Sequence, residues 1–194
     1  MRSCGEVASS LPGQITSRAE VNQIDTEHAA TAGLPDLVRA AQGGNSMAMA
    51  ELLDVLAPYV ARLCGPIALD DGADAAQEAL ITIFTSIRQL REPAALFGWA
   101  RVIAIREAIR VARKARRAAP AELADVPAPG DPQLASDVRD VLRRLAPHHR
   151  AILVLRDLEG LDEQTVSDML AVSTGTAKSR LHRARRRFRQ EWDR

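Results

Sequence analysis

The sequence predicts an all-α protein in which two small helical domains are joined by a proline-rich linker. Apolar residues recur at helical spacing along most of the chain, and no convincing alternating run bounded by turn residues indicates a strand. Aromatic residues make up only 3% of the 194 residues, so the core must consist mainly of Leu, Ile, Val and Ala. Residues 118–136 carry four prolines: Pro120, Pro127, Pro129 and Pro132. Proline at this density blocks helices and sheet ladders, and we expect an extended linker there.

In the first third of the chain, the sequence predicts an N-terminal extension followed by two helices. Residues 1–33 show no sustained period, and we expect a flexible N-terminal extension. Pro35 suits the first turn of the first helix. Asn45 or Ser46 then caps a long apolar helix. Pro58 lies inside this second helix and is expected to kink or split it.

A third helix is predicted from Asp70 to Leu90, with one apolar exception on its polar face. The expected buried stripe consists of Ala76, Leu80, Ile83, Phe84 and Ile87. The exception on the opposite face is Ile81, framed by three polar residues: Asp74, Gln77 and Glu78. A single exposed Ile is usually without meaning. This group is therefore either an ordinary solvated face or a small protein-contact surface.

Two short stretches hold most of the basic charge of a chain whose net charge is +1. Residues 99–117 carry seven basic and one acidic side chain, and residues 178–194 carry eight basic and two acidic ones. In the helix predicted from Leu96 to Arg117, four arginines recur at spacings of 4, 3 and 4: Arg106, Arg110, Arg113 and Arg117. A one-sided row of arginines beside a buried stripe indicates contact with a nucleic-acid backbone. The alternative is a solvated helix end.

The second basic stretch predicts a helix-turn-helix. A short amphipathic helix from Leu161 to Leu170 is followed, after a tight turn, by a basic helix from Ser173 to Arg189. Such a motif presents its second helix to the major groove of DNA. Ser173 suits the start of that helix, where free backbone N–H groups can also hold a phosphate. The candidate DNA contacts are Thr176, Lys178, Ser179, His182, Arg183 and Arg186. A merely solvated basic surface is the alternative.

Other classes of function find little support in the sequence. Two cysteines are too few for a disulfide framework. No apolar run approaches the length of a membrane span and no signal peptide is evident, so we expect a cytoplasmic protein without membrane insertion. An enzyme or metal protein would have to use His148, His149, Asp157 and Glu159. These residues match no recognised ligand spacing or nucleophile–base pair, so we expect no catalytic residue, metal or cofactor.

Two blocks of the sequence resemble the extracytoplasmic-function sigma factors of bacterial RNA polymerase, a group of the sigma-70 family. The first block is D-A-A-Q-E at 74–78, followed by I-T-I-F and by F-G-W at 97–99, and it is similar to the family's second conserved region. The second, more specific block is L-R-R-L-A-P-H-H-R-A-I-L-V-L-R-D-L-E-G-L-D at 142–162 with T-G-T-A-K-S-R-L-H-R-A-R at 174–185. It is similar to the fourth conserved region.

The resemblance implies a non-enzymatic specificity subunit that binds core RNA polymerase and directs transcription initiation on promoter DNA. The first domain would bind the polymerase clamp helices and open and read the −10 element, and the loop from Arg91 to Phe97 would hold a flipped-out −10 base. The C-terminal domain would bind the flap tip and read the −35 element. Carried over by position, Asp74, Gln77 and Glu78 fall on the polymerase-contacting motif. Lys178, Ser179, His182 and Arg183 fall on −35 contact positions.

The same resemblance implies an anti-sigma factor as a partner and sets the domain boundaries. We expect an extension at 1–33, a region 2-like domain at 34–117, a linker at 118–136 and a region 4-like domain at 137–194. The two domains are expected to fold independently. A stand-alone helix-turn-helix regulator is the alternative function, but it would need dimerisation, and we see no heptad seam.

The sequence departs from the family pattern at several positions. Arg106 and Arg110 stand where members often have Asn and Asp, which makes the −10 contacts more phosphate-like. In the first helix of the fourth region, Thr-Val-Ser at 165–167 replaces Glu-Ile-Ala. Ala171 replaces the usual Gly of the turn, and Ala177 replaces a common Val. We expect a C-terminal domain that is less stable than is typical.

Overall fold

The computed structural model describes residues 33–118 and 132–194, and within these ranges every regular element is helical. The prediction of an all-α fold is confirmed. The first unit contains α1 (Leu34–Gln42), α2 (Ser46–Ala68), α3 (Gly72–Ser86) and α4 (Leu96–Ala118). The second unit contains α5 (Pro132–Arg144), α6 (Pro147–Leu153), α7 (Glu163–Met169) and α8 (Thr174–Trp192). The predicted N-terminal extension through residue 32, and linker residues 119–131, lie outside the described residues.

Helix α2 forms the centre of the first unit and packs against α1, α3 and α4. Its N-cap is Asn45, whose side chain accepts hydrogen bonds from the backbone N–H groups of Met47 and Ala48. Pro58 was expected to kink or split this helix; a split is wrong, because α2 runs as one helix through Pro58 and Pro66, and a kink stays a prediction. Buried side chains flank the proline on both sides, so packing against three helices compensates for the missing backbone donor.

Helix α3 is shorter than predicted, and its predicted buried stripe is confirmed in part: Ala76, Ile83 and Ile87 are buried, whereas Leu80 is half-buried. Short 3₁₀ turns at Leu69–Asp71 and Ile87–Gln89 flank it. The buried positions of α3 and the turn that follows are Gly72, Ala75, Ala76, Ala79, Ile83 and Ile87. Phe84 was expected among them, but its side chain is 52% exposed. A Cβ at Gly72 would lie 3.0 Å from the Cα of Gly65, so the small residues bring α3 close to α2 and Phe84 stays outside this narrow contact.

The helical stretch Ser46–Gln89 contains a window long and apolar enough to cross a membrane by length and composition. By that measure, the expectation that no apolar run approaches such a length is wrong. Half of the window is buried inside the fold. Core helices pass the same test, so the finding is weak evidence for a membrane span.

The second unit is a compact set of short helices around α8. Helix α5 begins at Pro132, so the last residues of the predicted linker are helical rather than extended. Proline suits this place because the first turn of a helix has no use for its N–H group. Helix α6 continues into a π-helical turn at Val154–Leu158. Gly160, with φ +64°, then reverses the chain towards α7.

The two units contact each other directly. One hydrophobic cluster contains buried side chains from both, and α6 packs against α2 and α4. Independent folding of the two domains stays a prediction. The structure adds that a continuous interface joins them.

Candidate nucleic-acid and polymerase interfaces

Helices α7 and α8 form the helix-turn-helix motif predicted from the sequence. The side chain of Asp162 caps α7 by accepting a 2.9 Å hydrogen bond from the backbone N–H of Thr165. Ser173 caps α8 in the same way, with Thr176 as the donor at 3.2 Å. The inner faces are buried through Val166 and Ala177. Local capping and this small apolar contact fix the angle at which α8 presents its outer face.

Most of the predicted contact residues lie on the outer face of α8. Lys178, Ser179, His182, Arg183 and Arg186 are exposed. Arg183 donates hydrogen bonds of 3.2 Å to the carbonyl and to the hydroxyl of Ser179, which holds the guanidinium along the helix. Thr176 differs, because it is half-buried and its hydroxyl lies 2.8 Å from that of Ser173. Thr176 thus supports the start of the helix.

Two other arginines of α8, Arg185 and Arg187, hold the helix in place. Arg185 is paired with Asp157 in the π-helical turn. Arg187 lies 2.6 Å from the carboxylate of Glu191, which is 3% exposed and also receives Arg144 of α5 at 3.5 Å. The cationic surface of α8 is therefore divided into an outer part that faces solvent and a part that is neutralised by acids.

The arginine row on α4 is also exposed, but one member is engaged. Arg106, Arg110, Arg113 and Arg117 all face solvent. Arg110 lies 2.6 Å from Glu107 and 3.2 Å from Glu78 of α3. The hydrogen bond and the charge of Glu107 raise the pKa of Arg110, with a smaller contribution from Glu78. The other three arginines make no ion pair with any residue that the structure describes.

The motif predicted to contact the polymerase lies next to this arginine row. Asp74, Gln77 and Glu78 are exposed, and Ile81 is 52% exposed. Together with Arg110 they line one shallow groove between α3 and α4 of about 350 Å³. Phe84 extends the apolar part of this face by one turn. Phe84 is a core residue by the predicted stripe of α3, although its spacing of three residues from Ile81 places both side chains at neighbouring positions of the helix surface.

The four residues considered for an enzyme or metal site do not converge. Asp157 binds Arg185, whereas the buried Glu159 lies 2.7 Å from Arg62. The rings of His148 and His149 are 4.4 Å apart. No group of three or more potential ligands among the described residues is placed to hold a metal ion. Burial and then the charges of His149 and Arg180 lower the pKa of His148 to about 4.

Buried charges at the interface between the units were not found by sequence reasoning. Arg150 is 6% exposed and donates a 2.7 Å hydrogen bond to the carbonyl of Ile67 at the end of α2. It also donates to Leu142 at 3.2 Å and to Leu145 at 3.1 Å, the last carbonyls of α5. Burial lowers the pKa of Arg150 to about 10, so it remains charged at neutral pH. No local pattern marks this residue as a cap for two helices.

A second polar contact between the units is formed by Asp70. Its carboxylate lies 2.8 Å from Arg139 and 3.2 Å from Arg143, both on α5. Burial opposes ionisation of Asp70, but the hydrogen bonds and charges of the two arginines outweigh it and lower the pKa. The two units are thus joined by polar contacts at three places, which involve Asp70, Arg150 and Glu159.

In comparison with known proteins, a family model matches the second unit. Residues 135–188 match the model of sigma-70 region 4, the range that contains the helix-turn-helix. Over 131 residues the chain is 32% identical to the ECF RNA polymerase sigma factor SigE of Mycolicibacterium smegmatis. The region 4 match and this relative support an extracytoplasmic-function sigma factor of the sigma-70 family as the class of protein that the chain resembles. The match covers 61% of this chain and 51% of SigE, so the chain spans about half the length of that relative.

Further relatives are consistent with this assignment. The chain is 32% identical over 123 residues to the ECF sigma factor SigM of Mycobacterium tuberculosis (strain ATCC 25618 / H37Rv), covering 61% of this chain and 63% of SigM. It is 29% identical over 119 residues to SigV of Bacillus subtilis, covering 59% of this chain and 72% of SigV. These relatives are sigma factors, which are non-enzymatic transcription regulators.

Two solved structures share the fold. The first is the sigma factor RpoE in complex with the anti-sigma factor NepR from Bartonella quintana, with a TM-score of 0.60. It is 20% identical, and the match covers 74% of this chain and 95% of that one. The second is CnrH in complex with the cytosolic domain of CnrY, with a TM-score of 0.57 and 20% identity, covering 83% and 97% of the two chains. At this identity the likeness concerns the fold alone.

Proposed function

We propose that the protein binds core RNA polymerase and directs it to promoters by reading a −35 and a −10 element. The observation that carries this proposal is the outer face of α8. Lys178, Ser179, His182 and Arg183 are exposed on a capped second helix of a helix-turn-helix, where direct readout of base edges requires such side chains.

The −35 element is assigned to α8 because its outer side chains differ in chemistry. Lys178 and Arg183 can donate to guanine, and His182 can donate or accept at a base edge. Arg186 lies further along the helix and is exposed, which suits a phosphate contact. The Ser173 cap leaves the first backbone N–H groups of α8 at the surface, where a second phosphate can bind.

The −10 element is assigned to α4 and the loop before it. Arg106, Arg113 and Arg117 form an exposed row without carboxylate partners among the described residues, as expected of backbone contacts. The predicted loop from Arg91 to Phe97 ends inside α4: residues 91–95 are mostly exposed and lie directly before the helix, a place suited to an extruded base, whereas Leu96 and Phe97 form its start. The ring of Phe97 packs against Tyr59 with 5.2 Å between centroids, so it supports the loop from the core side.

Core polymerase is assigned to the outer face of α3. Ile81 and Phe84 supply exposed apolar surface, and Asp74, Gln77 and Glu78 surround it with polar groups. An apolar centre with a polar rim is typical of a small protein interface. The groove shared with Arg110 makes α3 and α4 one continuous surface on which the polymerase and the −10 strand would lie side by side.

An anti-sigma factor is the further partner that we propose, for a protein located in the cytoplasm. Of the two solved structures with this fold, one is a complex with the anti-sigma factor NepR and the other a complex with the cytosolic domain of CnrY. In this chain, an apolar groove of about 750 Å³ lies beside α8 and is lined by residues from both units. Its apolar walls include Pro66, Leu142, Leu153, Leu158 and Phe188.

Reconstitution with core polymerase tests the central proposal. The protein is combined with core enzyme and a promoter library, and the transcript starts are sequenced. Replacing Lys178 or His182 by Ala should change the preferred −35 sequence, because base-edge contacts are removed. Arg186→Ala should weaken binding more uniformly and reduce the salt dependence by about one phosphate contact.

Arg189→Ala is the control, since Arg189 lies about three helical turns beyond Lys178, near the C-terminal end of α8, and lines the apolar groove. An unchanged base preference in all the outer-face variants would show that α8 does not read DNA. Sequence-specific binding by a dimer without polymerase would instead indicate a stand-alone regulator.

A further inference from the structure

A cationic cleft lies between the two units and has no carboxylate in its lining. The cleft has a volume of about 740 Å³ and is bounded by α4 on one side and by α6, the end of α7 and α8 on the other. Six cationic side chains line it: Arg106, Arg110, Arg113, Lys114 and Arg117 from α4, and Arg180 from α8. Ile109, Met169 and Leu170 form an apolar part of the wall.

Like charges of the two units face each other across this cleft. Burial lowers the pKa of Arg180, and the charges of Arg113 and Arg183 lower it further. Arg113 also contributes to the low pKa of His148, on the α6 side. Of the six cations only Arg110 has an acidic partner among the described residues. The field in the cleft is therefore positive and uncompensated.

The contacts that hold the units together lie away from the cleft lining. Arg150 binds the carbonyl of Ile67, Glu159 binds Arg62, and Asp70 binds Arg139. None of these residues lines the cleft. These contacts and the shared apolar core keep the cations close in spite of their repulsion. Cations fixed near each other without counter-charge form a preorganised receptor for a compact anion of several charges.

We propose that this cleft binds a compact polyphosphate that bridges Arg113 of α4 and Arg180 of α8. A volume of about 740 Å³ lies within the usual range for small-molecule sites. A chain of adjacent phosphates matches several cations spread over two walls better than a single phosphate does. The chain can be an inorganic polyphosphate or the phosphate part of a nucleotide. In the second case, the base has an apolar wall at Ile109, Met169 and Leu170.

Binding in the cleft has a consequence for regulation. A ligand that bridges α4 and α8 stabilises the closed arrangement of the two units and covers Arg113 of the arginine row. If the row contacts promoter DNA, as in the function proposed above, the polyphosphate competes with the promoter. The same small anion would then hold the free sigma factor in a closed form.

Calorimetric titration of the full chain tests the site. The probes are inorganic tripolyphosphate, ATP and orthophosphate, each at the same ionic strength so that general screening is constant. We expect tripolyphosphate to bind with one site per chain and orthophosphate to bind about tenfold or more weakly, since one phosphate cannot reach both walls. Tighter binding of ATP than of tripolyphosphate would assign the site to a nucleotide, and equal or weaker binding would assign it to the polyphosphate chain.

Two variants outside the predicted DNA contacts localise the site. Arg180→Ala and Lys114→Ala should each weaken tripolyphosphate binding by about tenfold, the usual effect of losing one charge-assisted contact. Arg189→Ala removes one positive charge from α8 outside the cleft and should leave the affinity unchanged. Thermal melting of each variant checks the fold, and the exposed Lys114 keeps the test valid if the half-buried Arg180 proves necessary for folding.

Three results would overturn the proposal. They are an absence of tripolyphosphate binding, an equal loss of affinity in Arg189→Ala, and binding by duplex DNA alone at the cleft. Transcription with core polymerase is measured separately, without polyphosphate. Transcription without tripolyphosphate binding would contradict only the cleft, and binding without transcription would contradict only the sigma-factor function.

Discussion

The interface between the two units and the outer faces of α4 and α8 use arginine in opposite ways. At the interface, Arg150 is 6% exposed and gives its donors to three backbone carbonyls. Arg101 is 8% exposed and donates a 2.6 Å hydrogen bond to the hydroxyl of Tyr59. On the outer faces, Arg113 and Arg186 are exposed and make no ion pair with other described residues.

The difference follows from the cost of burying a charge. A guanidinium removed from water must have its donors satisfied, so each buried arginine is fixed by several partners and serves the fold. An exposed arginine keeps its hydration and remains available for a phosphate or a base. In this protein, the burial of an arginine and the number of its hydrogen-bond partners therefore indicate whether it stabilises the fold or is available to bind a ligand. Residue type alone does not.

The largest expected contrast is between a carboxylate placed on the buried face of α3 and one placed on its exposed face. Ile83→Asp should unfold the first unit, because Ile83 is 0% exposed and an unpaired carboxylate cannot be buried there. Ile81→Asp should leave the melting temperature nearly unchanged and weaken binding of core polymerase by about 1–3 kcal/mol. Thermal melting and polymerase titration measure the two effects. If Ile81→Asp changed neither stability nor polymerase affinity, this face would not be the interface.

The second largest effect is expected at Arg150, the buried arginine of the interface between the two units. Arg150→Met keeps most of the apolar volume but leaves the carbonyls of Ile67, Leu142 and Leu145 without a donor. The free energy of unfolding should fall by about 3 kcal/mol. Arg186→Met removes the same charge from an exposed site and should cost less than about 0.5 kcal/mol. Urea denaturation of both variants gives the contrast, and similar losses would contradict it.

A smaller effect of opposite sign is expected in the turn of the helix-turn-helix. Ala171 has φ +51°, a conformation that costs free energy for any residue with a Cβ. Ala171→Gly should therefore stabilise the second unit by up to about 1 kcal/mol, if relief of this strain exceeds the extra entropy of glycine in the unfolded chain. Ala115→Gly, at a helical position in the last turn of α4, should instead destabilise, by up to about 1 kcal/mol. Equal signs in thermal denaturation would show that the turn is not strained.

The smallest effect concerns pH and the histidines beside the cationic cleft. Burial, His149 and the arginines at 180, 113 and 116 lower the pKa of His148 to about 4, against about 6.5 in an unfolded chain. Between these values the unfolded chain binds more protons, so the free energy of unfolding should fall as the pH is lowered from 6.5 to 4. The slope should be well below the about 1.4 kcal/mol per pH unit of a fully buried group, because His148 is partly exposed.

Denaturation at several pH values measures that slope. His148→Gln should flatten it. His149, whose pKa is lowered by burial and then by Arg183 and Arg180, contributes in the same direction. His182→Gln, at an exposed position on α8, serves as the control. A slope unaffected by His148→Gln would show that the cationic surroundings do not act on this side chain.

The sequence by itself determined the helices and the motif, because both depend on neighbouring residues. Periodic apolar positions predicted α4 and α8 almost to their ends. Capping chemistry narrowed one cap to Asn45 or Ser46 and the other to the hydroxyl-rich start of α8, where the structure has Asn45 and Ser173. The blocks around residues 74–78 and 174–185 indicated the family before any coordinates. The arginine row and the outer face of α8 could be listed as candidate contacts, since helical spacing decides which side chains share a face.

Only the tertiary structure decided which side chains are buried and which charges pair. Arg150 binds Ile67, 83 positions away, and Glu159 binds Arg62, 97 positions away. Phe84 is exposed because α3 approaches α2 through glycine and alanine, which the period of α3 alone does not show. Local sequence determines which side chains share a face of a helix. Contact with helices distant in the sequence then determines which of those faces is buried. The pairing of the two units, and with it the cationic cleft, follows from such distant contacts.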